Sequence, residues 1–277
     1  MEKISVVNFF FITTDSGFIN SFFNHIIFFK NFKYVVLYNE DETPQFSYDE
    51  ETGRGPSNWT NVDPDWFLCG NGTRQSPINF DKVTICPTLG PVNRNYTPAN
   101  ATLVNEGFEI VVEWNGDAGN ITINGTVFTL KKSHWHTPSE HTLLGTSYPL
   151  ELHLVHESST GNKAVIGILY RNGPEPNPFL STLLEQISAL GNGTEEMKLG
   201  IVDPSKISFG TSRSYLRYDG SLTTPPCSEN VTWTIIPEVQ SVSSEQVQAL
   251  KDAVDHEFEE NARPIQQLNG RTVFINI

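Results

Sequence analysis

The stretch Leu150-Glu151-Leu152-His153-Leu154-Val155 alternates regularly along the chain and predicts the character of the whole domain. Successive side chains of a β-strand point to opposite faces of its sheet. The three leucines would therefore share one face, and Glu151, His153 and Val155 would share the other. The stretch is predicted to be a strand that buries its leucines and carries an imidazole on its second face.

A second pair of histidines precedes this strand in the segment His134-Trp135-His136. The segment follows a strand-like run, and alternate residues of a strand share a face, so both imidazoles would point the same way. If this strand pairs with the one that holds His153, three imidazoles converge. Three neutral histidines with one open position are the ligand set of catalytic zinc. The alternative is a group of hydrogen-bonded histidines in a sheet core.

Most of the remaining chain is predicted to be strand and turn. Short β-rich runs recur at Phe108–Trp114, Ile121–Leu130, Leu150–Val155, Ala164–Tyr170, Val231–Ile236 and Val273–Ile277. Gly, Asn and Pro punctuate these runs, and Asn124-Gly125 predicts a hairpin turn. Helical spacing of apolar residues predicts two helices, Phe179–Leu190 and Ser244–Asn261. The pattern is that of a mainly β domain with a large, mainly antiparallel sheet and a few peripheral helices.

Polar residues near the histidines could support a metal site. Glu140 follows His136 by four residues, and Glu151 precedes His153 by two on the same strand face. A carboxylate beside a metal-bound imidazole fixes the tautomer and the orientation of the ring. Without a metal, each Glu would be an ordinary solvated charge. The loop Thr223-Thr224-Pro225-Pro226 is either a rigid turn or a means of orienting a metal-bound hydroxide, because a Thr hydroxyl both donates and accepts hydrogen bonds.

Composition excludes several classes of function. The chain of 277 residues carries 18 Lys and Arg against 32 Asp and Glu, a net charge of −14. This balance argues against nucleic acid and anionic membrane surfaces as partners. No uninterrupted apolar run reaches the roughly 18 residues expected of a membrane-spanning helix. With 38% hydrophobic and 18% charged residues, the chain is predicted to fold, as one large domain or two small ones.

Residues 1–43 differ in kind from the rest of the chain. Nine of the 18 Phe precede position 33, and Asp15 cuts short an apolar stretch that begins behind Lys3. The segment fits a secretory signal poorly, because no small-residue cleavage site follows it. It is an irregular signal, an uncleaved anchor or a mis-joined gene segment that ends in a linker. We place the folded domain at residues 44–277.

Other features favour a secreted or endomembrane protein. Acceptor triplets for N-glycosylation begin at Asn58, Asn71, Asn95, Asn100, Asn120, Asn124, Asn192 and Asn230. A composition rich in Asn and Thr would explain part of their number. Three cysteines, Cys69, Cys86 and Cys227, allow at most one intramolecular disulfide, and their number alone does not select the pair.

Together these segments resemble the α-class carbonic anhydrases, most closely the secreted members from plants. The matching motifs occur in family order: Phe46-Ser47-Tyr48, Asn58-Trp59, Gln75-Ser76-Pro77-Ile78, residues 133–142, residues 151–156, residues 221–227, Val231-Thr232-Trp233 and Asn261-Ala262-Arg263-Pro264. The resemblance implies a central twisted, largely antiparallel sheet of about ten strands with few peripheral helices. It also implies a bound Zn²⁺, reversible hydration of CO2 to bicarbonate and a proton, and inhibition by sulfonamides and anions.

The resemblance assigns the reacting groups residue by residue. His134, His136 and His153 match the three zinc ligands. Zinc lowers the pKa of a bound water to about 7, which gives the hydroxide that attacks CO2. Thr223 matches the residue that accepts the proton of that hydroxide in a hydrogen bond and donates its own to Glu140.

Further positions match the surroundings of the metal. Glu151 and Asn261 match residues that hold the ligating imidazoles in place. The positions that match the pocket for CO2 are Val155, Val165, Leu222, Thr224 and Trp233. Cys69 and Cys227 match the disulfide of secreted members, which leaves Cys86 as a free thiol.

Two positions depart from the family pattern. Phe108 stands where fast members carry a His that shuttles protons, so proton release is predicted to limit turnover and added imidazole to restore it. Glu106 lies next to this position, but an exposed carboxylate would be too acidic to serve well. Lys132 stands where the family often has Gln, whose carbonyl accepts from the first ligand. An ammonium has no acceptor, which predicts a weaker zinc site.

Two functions of different classes follow from the resemblance. The first is an active zinc lyase, carbonate dehydratase. The second is a catalytically weak storage, carbohydrate-binding or defence protein on the same fold. Retention of all three histidines together with Glu140 and Thr223 favours the enzyme, because inactive relatives usually lose a ligand. Passage through the secretory route would take the protein to the apoplast, the vacuole or the plastid stroma.

Overall fold

The alternating stretch at Leu150 is the centre of a large sheet. The structure, a computed structural model, describes residues 46–190 and 195–277. The predicted targeting segment 1–43 lies outside these residues, so its nature and the domain boundary stay predictions. The acceptor Asn192 also lies outside them.

The strands of the described residues are β1 (Asn79–Phe80), β2 (Thr84–Ile85), β3 (Asn93–Tyr96), β4 (Ala99–Asn105), β5 (Ile110–Trp114), β6 (Gly119–Ile123), β7 (Thr126–His136), β8 (Thr142–Leu143), β9 (Leu150–Ser158), β10 (Lys163–Asn172), β11 (Glu195–Val202), β12 (Tyr215–Ser221), β13 (Glu229–Val242) and β14 (Phe274–Asn276). Twelve of them form one sheet with the path β11-β4-β5-β7-β9-β10-β13-β12-β14-β2, while β6 pairs with β3 and β7. A small second sheet joins β1 to β8.

The prediction of a mainly β fold with a large twisted sheet is confirmed, and the sheet is mixed rather than strictly antiparallel. Strands β10 and β13 run parallel, and so do β14 and β2. The two strands of each parallel pair are far apart in sequence. The alternation of side chains along a strand does not show whether its neighbour runs parallel or antiparallel. The predicted turn at Asn124-Gly125 joins β6 to β7, and both residues have positive φ, 50° and 80°. Asn-Gly is the pair best suited to such a two-residue hairpin.

Both helix predictions need correction. The described α-helices are α1 (Trp59–Val62), α2 (Phe67–Asn71), α3 (Pro178–Ser181), α4 (Leu184–Ala189) and α5 (Ser244–Ala253). The predicted helix 179–190 is therefore broken between α3 and α4, where the Thr182 hydroxyl and amide both donate to the Phe179 carbonyl. Such local side-chain bonds compete with the helical ladder.

The second predicted helix, 244–261, ends early. Ser243 and Gln246 form a capping box at the start of α5. The helix ends at Ala253, Val254 is extended, and the Asp255 amide donates to the Gly107 carbonyl at 3.0 Å. A short 3₁₀ helix, His256–Phe258, follows and buries Phe258. Tertiary contacts thus override the helical spacing beyond Ala253.

The two faces of β9 contribute to different apolar cores. Leu150, Leu152 and Leu154 are buried in the larger core, together with side chains of the helices and of β4–β7. Val155 belongs to a second core on the opposite face, with residues of β10, β12 and β13. The alternation predicted from the sequence is confirmed. The same face that carries Val155 carries the candidate site.

Candidate metal centre

Three buried histidines converge at the junction of β7 and β9. The two strands are antiparallel, with His134 directly opposite His153 and His136 opposite Glu151. The ring centroids of His134, His136 and His153 lie 4.7–5.1 Å from one another. One ligand atom from each of the three lies within 4.8 Å of the other two. The convergence that the strand alternation predicted is thus present.

The hydrogen bonds of the outer ring nitrogens fix the tautomers of two of these rings. His136 Nδ1 donates to the Asn261 carbonyl at 2.9 Å, and His153 Nε2 donates to Glu151 Oε1 at 2.9 Å. The opposite nitrogens, His136 Nε2 and His153 Nδ1, therefore carry lone pairs. His136 Nε2 is buried without any hydrogen-bond partner. A buried acceptor of this kind calls for a ligand.

The spacing of the nitrogens fits zinc. His134 Nε2 and His153 Nδ1 lie 3.3 Å apart. Zn–N bonds of about 2.05 Å in tetrahedral geometry place ligand nitrogens about 3.3 Å from each other. Burial, then the neighbouring His136, lowers the pKa of His134 well below its ordinary value, and burial outweighs Glu151 in lowering the pKa of His153. Both rings are neutral at pH 7, as metal ligation requires.

Glu151 holds two of the surrounding imidazoles. Its Oε1 accepts from His153 Nε2 and, at 2.7 Å, from His141 Nδ1, while Oε2 accepts from the His141 amide. Burial alone would raise the pKa of Glu151, but electrostatic attraction to His141 and His153 and the hydrogen bonds from both rings outweigh it and hold the pKa well below its usual range. An ionised carboxylate in this position raises the basicity of the ligand that it orients.

Glu140 is buried directly beside the histidines. Its Oε1 accepts from the Arg263 amide at 3.0 Å. Its Oε2 has no hydrogen-bond partner and lies 3.5 Å from His136 Nε2 and 3.9 Å from His153 Nδ1. Thr223 is buried, but no hydrogen bond joins it to this carboxylate among the described residues, so its relay to Glu140 stays a prediction.

An apolar row continues from the histidines across the next two strands. Val155 of β9 lies opposite Val165 of β10, and Val165 lies opposite Trp233 of β13. All three are buried, and Leu222 is partly buried against the same apolar core. The Trp233 ring lies 4.8 Å from the ring of His153. Four of the five predicted pocket residues are thus brought together, while Thr224 is half-buried in the loop that follows Leu222.

A disulfide anchors the end of the loop that carries Thr223 and Thr224. Cys69 and Cys227, 158 residues apart in sequence, are bonded, and Cys86 is a free, half-buried thiol. The pairing expected from the resemblance is confirmed. The Cys227 amide donates to the Thr224 carbonyl at 2.9 Å, so the bridge tethers the segment that carries Thr223.

Sequence reasoning missed two residues of the site. Arg263 is buried and its guanidinium donates to Gln75 Oε1 and to the carbonyls of Ser76 and Cys69. Glu109 is buried with Oε2 unpartnered, 3.6 Å from His134 Nε2. The available signal for Glu109 was its alternation with Val111, which lies opposite His134.

Lys132 does not support His134. Its ammonium lies 3.2 Å from Glu109 Oε1 and 3.7 Å from Glu106 Oε1. His134 Nδ1 is buried without a hydrogen-bond partner. The expectation that this imidazole loses its usual acceptor agrees with that geometry.

The mixed twisted sheet brings three buried imidazoles, buried carboxylates and an apolar row together, an arrangement that could hold a metal ion. The profile of the eukaryotic-type carbonic anhydrases matches residues 54–277, and the chain belongs to this family. It is 47% identical over 247 residues to alpha carbonic anhydrase 4 of Arabidopsis thaliana, covering 89% of this chain and 91% of that protein.

Solved structures agree with this assignment. A crystal structure of dioscorin complexed with ascorbate has a TM-score of 0.79 and 42% identity, covering 83% of this chain and 97% of that one. The α-carbonic anhydrase of Thermovibrio ammonificans in complex with the inhibitor sulfanilamide has a TM-score of 0.74 and 35% identity, covering 83% and 98%. The fold is therefore that of the α-carbonic anhydrases.

Proposed function

We propose that the protein is a zinc enzyme that catalyses the reversible hydration of CO2 to bicarbonate and a proton. The observation that carries this proposal is the buried trio His134, His136 and His153, in which two inward nitrogens lie 3.3 Å apart and His136 Nε2 has no hydrogen-bond partner. Family membership supports the same cofactor. When bound, zinc acidifies water toward a pKa of about 7 and so supplies a nucleophile at neutral pH.

The residues of the chain orient the reactants. Glu151 and the Asn261 carbonyl hold two of the imidazoles. We assign to Thr223 the role of orienting the attacking water, with the free Oε2 of Glu140 as the acceptor for its hydroxyl. The Thr223 hydroxyl can then accept a hydrogen bond from the water. This would leave a lone pair of the water oxygen directed at CO2.

The apolar row is the place where CO2 would wait. The row offers no free hydrogen-bonding groups from Val155, Val165, Leu222 and Trp233. The Trp233 indole N–H is already used, because it donates to the Ser221 carbonyl. CO2 loses little by leaving water for such a surface, whereas charged bicarbonate loses its hydration. We expect sulfonamides and small anions to inhibit by binding at the metal end of the same pocket.

Proton release is the step that we expect to be slow. Phe108 cannot carry a proton, and its ring packs edge-on against Phe46 with the centroids 5.0 Å apart, inside an aromatic cluster with Phe258. The half-buried ring packs against the larger apolar core. Added imidazole should replace the missing shuttle and raise the rate.

A binding protein with weak catalysis is the second candidate. The likeness to dioscorin, described in complex with ascorbate, favours it. The unpartnered His134 Nδ1 would weaken zinc binding and points in the same direction. Retention of all three histidines favours the enzyme.

Substitution of a proposed metal ligand distinguishes the zinc enzyme from the binding protein. His153→Ala should lose bound zinc and CO2 hydration measured by stopped flow with imidazole present. His256→Ala is the matched control, because that side chain is 96% exposed. Equal zinc content and equal hydration in the two variants would contradict the proposal. Normal zinc content without any hydration in the wild-type protein would favour the binding protein.

We also propose that the protein passes through the secretory pathway. A disulfide is typical of oxidising compartments. Of the glycosylation acceptors, Asn71, Asn95, Asn100, Asn124 and Asn230 are exposed and Asn58 and Asn120 half-buried. Within the described part of the chain, no helix is long and apolar enough to cross a membrane. A mass shift on glycosidase treatment of the native protein would support this route, and an unmodified native protein would speak against it.

A further inference from the structure

The proposed reaction releases one proton for every CO2 that is hydrated, and Phe108 cannot remove it. Glu106 lies in the same β4–β5 turn, two residues earlier. We propose that Glu106 accepts the proton that leaves the site and passes it to solvent. This inference rests on the proposed function and names the residue that completes its cycle.

The turn holds Glu106 in a defined position. The Glu106 amide donates to the Glu109 carbonyl at 3.0 Å, and the Asp255 amide donates to the Gly107 carbonyl. The Asn105 side chain donates to the Ala253 carbonyl at 2.6 Å and accepts from the Gly107 amide. The backbone beneath Glu106 is therefore anchored to the end of α5. The carboxylate itself is 28% exposed, so it contacts both the interior and solvent.

A chain of polar groups links Glu106 to the histidines. Glu106 Oε1 lies 3.7 Å from Lys132 Nζ, and Lys132 Nζ lies 3.2 Å from Glu109 Oε1. The other oxygen of Glu109 lies 3.6 Å from His134 Nε2, has no hydrogen-bond partner and belongs to a side chain that is only 3% exposed. A buried carboxylate oxygen left free beside a ligand nitrogen needs a polar partner in the site. A hydrogen bond between the carboxyl groups of Glu109 and Glu106 connects the site to the partly exposed acid.

The charges around Glu106 suit it to this task. Burial is the largest cause that raises the pKa of Glu106. The charges of Glu109 and Glu113 and a hydrogen bond to Glu109 raise it further, and only Lys132 lowers it. The resulting pKa of Glu106 is about 7. The expectation that Glu106 is an exposed and strongly acidic carboxylate is therefore wrong, because the turn and its acidic neighbours shield it. A group with a pKa near the working pH both accepts and releases protons readily. The carboxylate takes up the proton to become a carboxylic acid, and a buffer base or water removes it again.

Removal of this acid tests the inference. Glu106→Gln should lower CO2 hydration roughly tenfold in weak buffer, less than the 10²–10⁴-fold of full general acid–base catalysis, because water carries part of the protons. Imidazole should restore the rate of the variant to that of the wild type. Glu175→Gln is the matched control, since it removes an equal charge from an exposed side chain that does not contribute to the pKa of Glu106. It should retain most of the rate in weak buffer.

A second readout does not depend on turnover. In protein labelled with ¹³C at the Glu carboxyl carbon, one resonance should titrate near pH 7 and be absent from Glu106→Gln. The inference is overturned if that resonance titrates in the ordinary Glu range. It is also overturned if Glu106→Gln matches the wild type in weak buffer while both respond to imidazole, a result that leaves the proposed function intact. Absence of hydration in every zinc-loaded protein would refute the proposed function and this inference with it.

Discussion

Lys132→Gln should strengthen zinc binding, because it offers His134 the acceptor that the chain lacks. His134 Nδ1 is buried and unpartnered. Positions 132 and 134 alternate on β7 and share a face, so an amide oxygen at position 132 lies within reach of this ring. A buried donor without a partner costs about 1–3 kcal/mol. Restoring its acceptor is expected to lower the zinc dissociation constant about 10–100-fold, which equals about 1.4–2.8 kcal/mol.

The same substitution has a second effect that must be separated from the first. Lys132 lies between two acids, 3.2 Å from Glu109 and 3.7 Å from Glu106, and its removal leaves their charges opposed. Lys132 is partly exposed, but Glu109 is buried, and a buried charge that loses its partner destabilises the fold. We therefore expect Lys132→Gln alone to lower the unfolding temperature of the apoprotein. Glu109→Gln in the same chain removes the uncompensated charge.

The informative comparison is the double variant against Glu109→Gln alone. Zinc affinity is measured by competition with a chromogenic chelator of known affinity, and folding of each apoprotein is checked by thermal unfolding. The double variant should bind zinc at least about tenfold more tightly than Glu109→Gln. Equal affinities in these two proteins would refute the argument that His134 lacks an acceptor.

Three further predictions follow from the geometry. Glu151→Gln should weaken zinc binding about 10–100-fold, because an amide cannot replace the carboxylate that orients His153, and chelator competition would contradict this by returning the wild-type constant. Replacing Cys69 and Cys227 together by Ser should lower the free energy of unfolding by about 2–5 kcal/mol, and an unchanged urea midpoint would speak against a stabilising bridge. Burial lowers the pKa of His156 to about 4, so the unfolded state binds the extra proton first as the pH falls. Stability should decline by about 3 kcal/mol between pH 6.5 and 4, and a His156→Gln variant with the same pH dependence as the wild type would exclude this cause.

The strands around the site were predictable because their residues alternate. From Leu150 to Leu154, strand β9 keeps its leucines on one face and Glu151 and His153 on the other, which both fixes its face and orients His153. Strand β12 was not predicted, because Asp219 and Gly220 near its end are typical of turns. Its pairing with β13 on one side and β14 on the other overrides that local preference. Long-range pairing of this kind leaves no local signal.

The residues of the candidate site also fall into two groups, those predictable from local sequence and those that depend on long-range contacts. The three histidines follow from strand alternation and from the family motifs, and the structure brings them together. Glu109 was missed because its role depends on which residue β5 places opposite His134, and an apolar strand gives no register by itself. The acidity of Glu106 was misjudged because exposure depends on how the β4–β5 turn docks against α5. Contacts between elements distant in sequence thus determine where Glu109 lies and how acidic Glu106 is.

The most direct test of the account is CO2 hydration by the wild-type protein before and after its metal is removed. The chain is stripped of zinc with a chelator, and stopped-flow rates are recorded in imidazole buffer for the apoprotein and after addition of one equivalent of zinc. The account predicts no catalysed hydration without metal and full recovery at one zinc per chain. Hydration that is absent after one equivalent has demonstrably bound would contradict the proposed activity.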